Sequence, residues 1–256
     1  MNRAVIITSY LENPLDIPAL IGEDDTIICL DGGYDIAKDQ GIQPDILLGD
    51  FDSIKSPIPD DEDIQVLKYP AKKDFSDLEL AFRLLDPRDY PTILIIGGIG
   101  GRQDQTAINM HLVTRYSRPV IKGSVAFPDP SAGPEDSSLP FERIDIMDGR
   151  NHCFAVHGAS TACCWDDRKG EDDEEDPTAP IPEPTVVTIP READSYLSLV
   201  PTSDFCEEVT LTGALYPLEK ATLRRGSSLS ISNEFDSEAA TLSVLAGSLL
   251  VVISKK

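Results

Sequence analysis

The sequence predicts an α/β Rossmann-like N-terminal domain with a parallel sheet, followed by an all-β sandwich. In the first half, continuous apolar runs alternate with segments of helical spacing, which is typical of parallel strands covered by helices on both faces. In the second half, short strand-like runs follow one another, separated by turn signals such as Asp148-Gly149 and Arg225-Gly226. We therefore predict an α/β domain over 1–138 and a β-sandwich domain over 139–256.

The first domain is expected to contain at least four strands and three helices. The strands are short β-branched or apolar runs, at Val5–Thr8, Thr26–Leu30, Ile46–Leu48 and Thr92–Ile96. The helices are predicted over Tyr34–Gln40, Ser76–Leu85 and Thr106–Tyr116. Gly41 is a natural terminator of the first helix, and Ser76 can cap the second helix because Glu79 follows three residues later.

The second domain is expected to consist of short strands. These are predicted at Ile144–Met147, Cys153–Val156, Val186–Ile189, Tyr196–Val200, Glu208–Thr212, Ser228–Ser232 and Leu242–Ile253. An acidic loop at about 158–185 interrupts them: eight of the eleven residues Asp166–Asp176 are acidic, and four prolines follow. This composition predicts a disordered, solvated loop, with a partner-binding segment as the alternative.

Composition excludes several classes of function. The net charge of the 256 residues is −23, which argues against binding to nucleic acid or to anionic membranes. No apolar run approaches the ~18 residues of a membrane helix, and Met1–Tyr10 lacks the pattern of a signal peptide. The five cysteines have no C-x-x-C spacing, so we interpret them as reduced thiols of a cytoplasmic protein.

Three polar clusters follow predicted strands of the first domain. They are Asp31-Gly32-Gly33, Gly49–Ser53 and Gly97–Asp104. Ligands of open parallel sheets bind beyond the carboxyl ends of the strands, so these clusters are expected to share one site.

Asp50 and Asp52 are the first candidates for metal binding. In an extended segment their side chains point the same way, so both carboxylates can converge on one cation such as Mg²⁺. The alternative is a solvated turn in an acidic protein. A second cluster places Lys73 and Asp77 at the start of a helix, where Asp77 could serve a metal and Lys73 a phosphate, or where the carboxylate simply favours the helix dipole.

The glycine-rich segment Gly97–Asp104 is the third candidate. Gly100 and Gly101 would allow close approach of the backbone to a phosphate, and Arg102 offers a planar fork for its oxygens. Asp104 could orient that arginine or accept a hydrogen bond from a nucleotide. A tight turn without a ligand is the alternative. The residues alone thus indicate a metal-assisted enzyme acting on phosphates, with no substrate named.

The order of these motifs resembles the thiamine pyrophosphokinase family. The resemblance rests on Asp31-Gly32-Gly33, GDFDS at Gly49–Ser53, KKDFSDLELA at Lys72–Ala81, GGIGGRQDQTAIN at Gly97–Asn109, YLSLVP at Tyr196–Pro201, LTGALYPL at Leu211–Leu218 and SISNE at Ser230–Glu234. It implies a nucleotide-binding α/β domain followed by a β-sandwich domain for thiamine binding and dimerisation, in a homodimer. The implied reaction moves the diphosphate of ATP to the hydroxyl of thiamine, giving thiamine diphosphate and AMP.

The resemblance also implies roles for individual residues. Asp50, Asp52 and Asp77 would hold Mg²⁺; Lys73 and Arg102 would act on the phosphates in catalysis. ATP would contact Asp31, Gly32, Gly33, Asp74, Gly100, Gly101, Arg102 and Asp104, and thiamine would contact Ser232 and Asn233. Two alternatives stay open: a diphosphokinase acting on a pterin alcohol, and a nucleotide-binding regulatory protein without catalysis.

Overall fold

The computed structural model describes residues 2–59, 62–117, 140–159 and 183–256. Two compact units divide the chain, Met1–Phe154 and Ala155–Lys256. The predicted acidic loop lies outside the described residues over 160–182. The division falls later than the predicted boundary at 138, because the strand at Arg143–Met147 pairs in parallel with the strand at Thr92–Ile96 and so belongs to the first sheet.

The first unit is built on a mixed sheet. Its strands are β1 (Arg3–Ile7), β2 (Thr26–Leu30), β3 (Ile46–Gly49), β4 (Gln65–Lys68), β5 (Thr92–Ile96), β6 (Arg143–Met147) and β7 (Asn151–His157). They lie in the order β4-β3-β2-β1-β5-β6-β7. The first six run parallel, as predicted, and β7 pairs with β6 in the antiparallel direction.

In the described part of this unit, three helices accompany the sheet: α1 (Gly33–Asp39), α2 (Asp77–Leu84) and α3 (Gln103–Tyr116); a 3-10 turn covers Pro18–Leu20. The cap predicted for α2 is confirmed, since Ser76 Oγ accepts a hydrogen bond from the Glu79 N–H at 3.3 Å. α3 begins three residues earlier than predicted.

The parallel register fixes where the site lies. Ile7 is opposite both Cys29 and Ile96, and Leu30 is opposite Leu48. β1, β2, β3 and β5 are buried along most of their length, as expected for strands that read as continuous apolar runs. The chain therefore leaves all four strands at one edge of the sheet, and the polar clusters that follow them come together there.

The second unit contains two groups of antiparallel strands. Its strands are β8 (Thr185–Pro190), β9 (Ser195–Pro201), β10 (Phe205–Thr212), β11 (Leu218–Arg224), β12 (Asn233–Glu234), β13 (Ala239–Val244) and β14 (Ser248–Lys255). One sheet has the order β11-β10-β13-β8, and the strands β12, β9 and β14 pair in that order. The all-β class predicted for this half is confirmed.

Several predicted boundaries in the second half were wrong. Ser228–Ser232 forms turns rather than a strand, and only Asn233–Glu234 pairs with β9. The single strand predicted over Leu242–Ile253 is two strands, β13 and β14, because Gly247 turns the chain between them with φ of 89°. No helix in the described ranges is both long and apolar enough to span a bilayer.

Candidate active site

Three carboxylates meet at the carboxyl edge of the parallel sheet. Asp31 follows β2, and Asp50 and Asp52 follow β3; each offers an oxygen within 4.8 Å of the others. Asp31 and Asp50 are half-buried, whereas Asp52 is exposed. The cluster unites two of the polar segments singled out in the sequence, because β2 and β3 are neighbours in the sheet.

Unusual backbone conformations hold this cluster. Asp31 and Phe51 have positive φ of 45° and 69°, which are sparsely populated for residues with side chains and typical of functional sites. Asp31 Oδ1 accepts a hydrogen bond from the Phe51 N–H at 2.8 Å. A β-carbon at Gly49 would lie 2.0 Å from that same oxygen, so only glycine allows the β3 backbone to approach Asp31 this closely.

The electrostatics of the cluster favour a bound cation. Burial, together with the negative charges of Asp77, Asp50 and Asp52, raises the pKa of Asp31 to about 6, against the hydrogen bond from the Phe51 N–H, which lowers it. Three carboxylates at this separation repel one another unless a positive charge neutralises them. Since Mg²⁺ prefers oxygen ligands and takes one or two carboxylates together with substrate phosphates, the donor set fits this ion.

Of the three predicted metal ligands, Asp50 and Asp52 lie together, and Asp77 lies beside them on α2. Asp77, in the first turn of α2, forms an ion pair with Lys73, whose Nζ lies 2.5 Å from Asp77 Oδ1. Asp31 is the carboxylate whose oxygen lies within 4.8 Å of those of Asp50 and Asp52. Asp77 nevertheless acts on the cluster, because its charge is among those that raise the pKa of Asp31. Asp74 is exposed.

The two glycines after Asp31 serve the backbone. The Gly32 N–H donates to Ser53 Oγ at 3.0 Å, which ties the end of β2 to the segment after β3. A β-carbon at Gly33 would lie 2.1 Å from the Ile7 carbonyl oxygen, so α1 packs directly on β1 at this position. Both glycines therefore help to place Asp31 at the carboxyl edge of the sheet.

The glycine-rich loop after β5 lies at the same edge. Gly97, Gly98, Gly100 and Gly101 all have positive φ, between 59° and 88°. The side chain of Asn109, buried in α3, donates to the Gly98 carbonyl at 2.6 Å. Asn109 Oδ1 is buried without a partner among the described residues, so this corner keeps one unused acceptor.

Arg102 and Asp104 pair with each other at the start of α3. Arg102 Nη2 and Asp104 Oδ2 lie 2.5 Å apart, and the two side chains are 73% and 66% exposed. The hydrogen bond from Arg102 lowers the pKa of Asp104, so this carboxylate stays ionised. The pair therefore faces solvent. The sequence analysis gave two alternatives for Asp104, and this ion pair agrees with the one in which Asp104 orients Arg102.

One segment of this edge escaped the sequence analysis. Thr8 to Glu12 leave β1, which lies between β2 and β5, and Tyr10 and Glu12 contact the glycine-rich loop. The position of β1 could have identified this segment, because the end of a strand that lies between two parallel strands is at the same edge of the sheet as the polar clusters that follow those strands. Tyr10 and Glu12 carry no motif of their own, so the pattern of residues did not single them out.

Ser232 and Asn233 lie in the second unit and differ in exposure. Asn233 is buried; its Oδ1 accepts from the Tyr216 N–H at 3.0 Å, and its Nδ2 donates to the Tyr216 carbonyl at 2.7 Å. It therefore fixes the loop that carries Leu215 and Tyr216. Ser232 is exposed, with a positive φ of 59°, and its N–H donates to Ser198 Oγ.

Family models match both units of the chain. Residues 17–123 match the thiamin pyrophosphokinase catalytic domain, and residues 185–249 match the thiamin pyrophosphokinase vitamin B1 binding domain. Together the two matches cover about two thirds of the chain. The chain belongs to the thiamin pyrophosphokinase family. The relationship supports thiamine diphosphokinase activity.

Individual relatives agree with this membership. The chain is 29% identical over 248 residues to thiamine pyrophosphokinase of Bacillus subtilis, covering 93% of this chain and 92% of the relative. A thiamin pyrophosphokinase structure from Geobacillus thermodenitrificans is 25% identical, with a TM-score of 0.69 over 100% of this chain and 98% of that one. The enzyme from Candida albicans shares the fold alone, at 14% identity and a TM-score of 0.68 over 100% and 89% of the two chains.

Proposed function

We propose that the protein transfers the diphosphate group of ATP to the hydroxyl of thiamine, giving thiamine diphosphate and AMP. The observation that carries the proposal is the cluster of Asp31, Asp50 and Asp52 at the carboxyl edge of a parallel sheet. This edge is where such folds bind ligands, and the donor set suits a metal-bound chain of phosphates. Membership of the thiamin pyrophosphokinase family supports thiamine as the acceptor.

The roles of the residues follow from charge. Asp31, Asp50 and Asp52 would hold Mg²⁺, with Asp77 next to them; the ion would neutralise charge on the transferred group. Lys73 has a half-buried ammonium group beside this cluster and can donate hydrogen bonds to phosphate oxygens without leaving Asp77. Phosphoryl transfer depends on positioning and charge stabilisation more than on a strong base. Residues that bind a metal ion and donate to phosphate oxygens are therefore the types of residue that this reaction requires.

We further propose that the second unit takes part in thiamine binding and in formation of a homodimer in the cytoplasm. Its loops expose large apolar side chains, namely Leu215, Tyr216, Leu229 and Ile231. Exposed apolar side chains of this size can mark binding or association surfaces. Ser232 lies in the same region, and Asn233 would act by holding Tyr216 in place. Light scattering after gel filtration tests the dimer, which a mass of 27.9 kDa would contradict.

The decisive experiment for the reaction follows both products. The purified protein is incubated with thiamine, Mg²⁺ and ATP labelled at the β-phosphorus, and the products are separated. We expect labelled thiamine diphosphate and unlabelled AMP in equal amounts. Neither product should form when the metal is chelated.

Other outcomes would overturn parts of the proposal. Formation of ADP and thiamine monophosphate would show single phosphoryl transfer. Turnover of a pterin alcohol in place of thiamine would keep the chemistry and change the acceptor. Binding of ATP with no turnover of either acceptor would identify a regulatory nucleotide-binding protein.

A further inference from the structure

The segment after β1 packs tightly on the glycine-rich loop after β5. The Gly98 N–H donates to the Tyr10 carbonyl at 2.8 Å, and a β-carbon at Gly97 would lie 2.1 Å from that carbonyl oxygen. Thr8 Oγ1 lies 3.3 Å from the same oxygen. The main chain at Tyr10 is therefore held in place at the carboxyl edge of the sheet.

Two side chains of this segment lie over the loop. The hydroxyl end of the Tyr10 ring faces Gly101, where a β-carbon would lie 2.6 Å from Cζ, and the residue is 41% exposed. Glu12 is exposed as well, and a β-carbon at Gly100 would lie 1.9 Å from its Oε2. An aromatic ring and a carboxylate thus cover the two glycines that the sequence assigned to a phosphate.

A carboxylate in this position is a poor neighbour for phosphate. Arg102 does not offset its charge, because Asp104 already neutralises that guanidinium. The corner formed by Glu12, Arg102 and Asp104 consequently carries a net negative charge. A carboxylate is, however, a strong acceptor for hydroxyl groups, and dinucleotide-binding folds use an acidic residue in this way to hold a ribose.

The opposite end of the same edge suits phosphate. Asp31, Asp50 and Asp52, with a divalent cation, and Lys73 lie at the ends of β2 and β3 and at α2. β1 and β5 are one and two strands away from β2, and neighbouring strands are about 4.8 Å apart. Ser9 follows β1 and packs against Gly32, which follows β2: a β-carbon at Gly32 would lie 3.4 Å from Ser9 Cβ. The segments after these two strands are therefore in contact.

We propose that Glu12 and Tyr10 form the nucleoside half of the ATP site, with the Glu12 carboxylate accepting hydrogen bonds from the ribose hydroxyls and the Tyr10 ring contacting the nucleoside. ATP then lies along the edge with its phosphates toward Asp31 and its nucleoside over the glycine-rich loop. This inference rests on the proposed function for the presence of ATP, and it adds the direction in which ATP lies and the residues that select a ribonucleotide.

The test measures equilibrium binding of nucleotides without thiamine. Affinities of ATP and 2′,3′-dideoxy-ATP in the presence of Mg²⁺ are compared for the natural protein and for Glu12→Ala. The natural protein should prefer ATP by about tenfold, the size expected for hydrogen bonds to a charged group, and Glu12→Ala should reduce the preference to near one. Glu23→Ala is the matched control, because Glu23 is exposed in the turn before β2, at the opposite edge.

Tyr10 is tested separately. Tyr10→Ala should weaken ATP and 2′,3′-dideoxy-ATP by the same factor, about tenfold, because the ring contacts the nucleoside without touching the ribose hydroxyls. Tyr10→Phe should bind like the natural protein. Urea unfolding of each variant shows whether a weakened variant is folded.

Tripolyphosphate with Mg²⁺ distinguishes the competing orientation. If phosphates lay over the glycine-rich loop, Glu12→Ala would bind tripolyphosphate and ATP more tightly, and the ribose preference would persist; either result overturns the inference. A failure of the proposed function looks different: ATP would bind with the expected ribose preference while no thiamine diphosphate forms. Thiamine diphosphate formation with an unchanged preference in Glu12→Ala would refute only the inference.

Discussion

The replacement Asp31→Asn should stabilise the metal-free protein while weakening its response to metal. Asparagine keeps an oxygen that can accept the hydrogen bond from the Phe51 N–H, now 2.8 Å long, and removes one of three clustered negative charges. Because the folded pKa of Asp31 is raised from its usual 3.8 to about 6, the ionised carboxylate is disfavoured in the folded state. The loss of folding stability that this negative charge causes is absent at low pH and fully present above about pH 6.

The magnitude follows from the pKa. A rise from 3.8 to about 6 corresponds to at most about 3 kcal/mol at pH 7.5. The carboxylate is partly exposed, so screening by water reduces the expected gain in the free energy of unfolding to about 1 kcal/mol. At pH 5 the gain should fall to roughly half, since the folded native Asp31 is then mostly protonated.

Urea unfolding in chelator at pH 7.5 and pH 5 measures this gain. Asp35→Asn is the control of opposite sign: hydrogen bonds from the Lys55 and Ser56 N–H groups lower the pKa of Asp35, so its replacement should destabilise the fold at neutral pH. Mg²⁺ with ATP should raise the unfolding midpoint of the natural protein and raise that of Asp31→Asn much less. A loss of stability in Asp31→Asn at pH 7.5 in chelator would refute the reasoning.

Replacements at three further positions test the account of stability. Asn233→Ala should lower the free energy of unfolding by about 2–3 kcal/mol, because buried hydrogen bonds to the neighbouring loop are lost; a change below about 0.5 kcal/mol in urea unfolding would contradict this role. Burial raises the pKa of Asp145, but hydrogen bonds from His152 and Arg143 outweigh this and lower it. The ionised carboxylate therefore stabilises the fold above its usual pKa, and Asp145→Asn should be less stable at pH 7, with the difference shrinking as the pH falls toward 3; an equal difference at both pH values would exclude the ion pairing. Ser76→Ala should cost about 1 kcal/mol and Ser76→Asp much less, as judged by thermal unfolding, and equal stability of the two variants would exclude the cap.

The sequence predicted those features that depend on local pattern. The strands that read as apolar runs, the Ser76 cap and the convergence of Asp50 with Asp52 all follow from residues close together in the chain. The shared edge of the polar clusters also followed, because parallel strands must end on the same side. These features needed no knowledge of which strand lies beside which.

What the sequence missed depends on register and on neighbours distant in the chain. The sequence placed Asp31 at the same edge as Asp50 and Asp52 but assigned it to ATP. Its place among the three clustered carboxylates depends on the pairing of Leu30 with Leu48, which nothing in the segment around Asp31 encodes. Glu12 likewise contacts the glycine-rich loop because β1 lies beside β5, a pairing that the segment around Glu12 does not encode.

The strands that sequence reasoning overlooked are edge strands. β4 (Gln65–Lys68) and β11 (Leu218–Arg224) each carry exposed charged residues and lie at the end of a sheet. Charged residues are common on edge strands because they prevent further pairing, and they also weaken the apolar pattern by which strands are recognised.

The most direct test of the central claim, that the aspartates at the strand ends carry diphosphate transfer, is the turnover of Asp52→Asn. Asp52 is exposed, so the replacement should leave the urea unfolding curve in chelator unchanged or slightly more stable. The account predicts that formation of thiamine diphosphate from ATP falls by more than about a hundredfold, since a charge that organises the phosphates is lost. A folded Asp52→Asn protein that retains turnover within about threefold of the natural protein would contradict the claim.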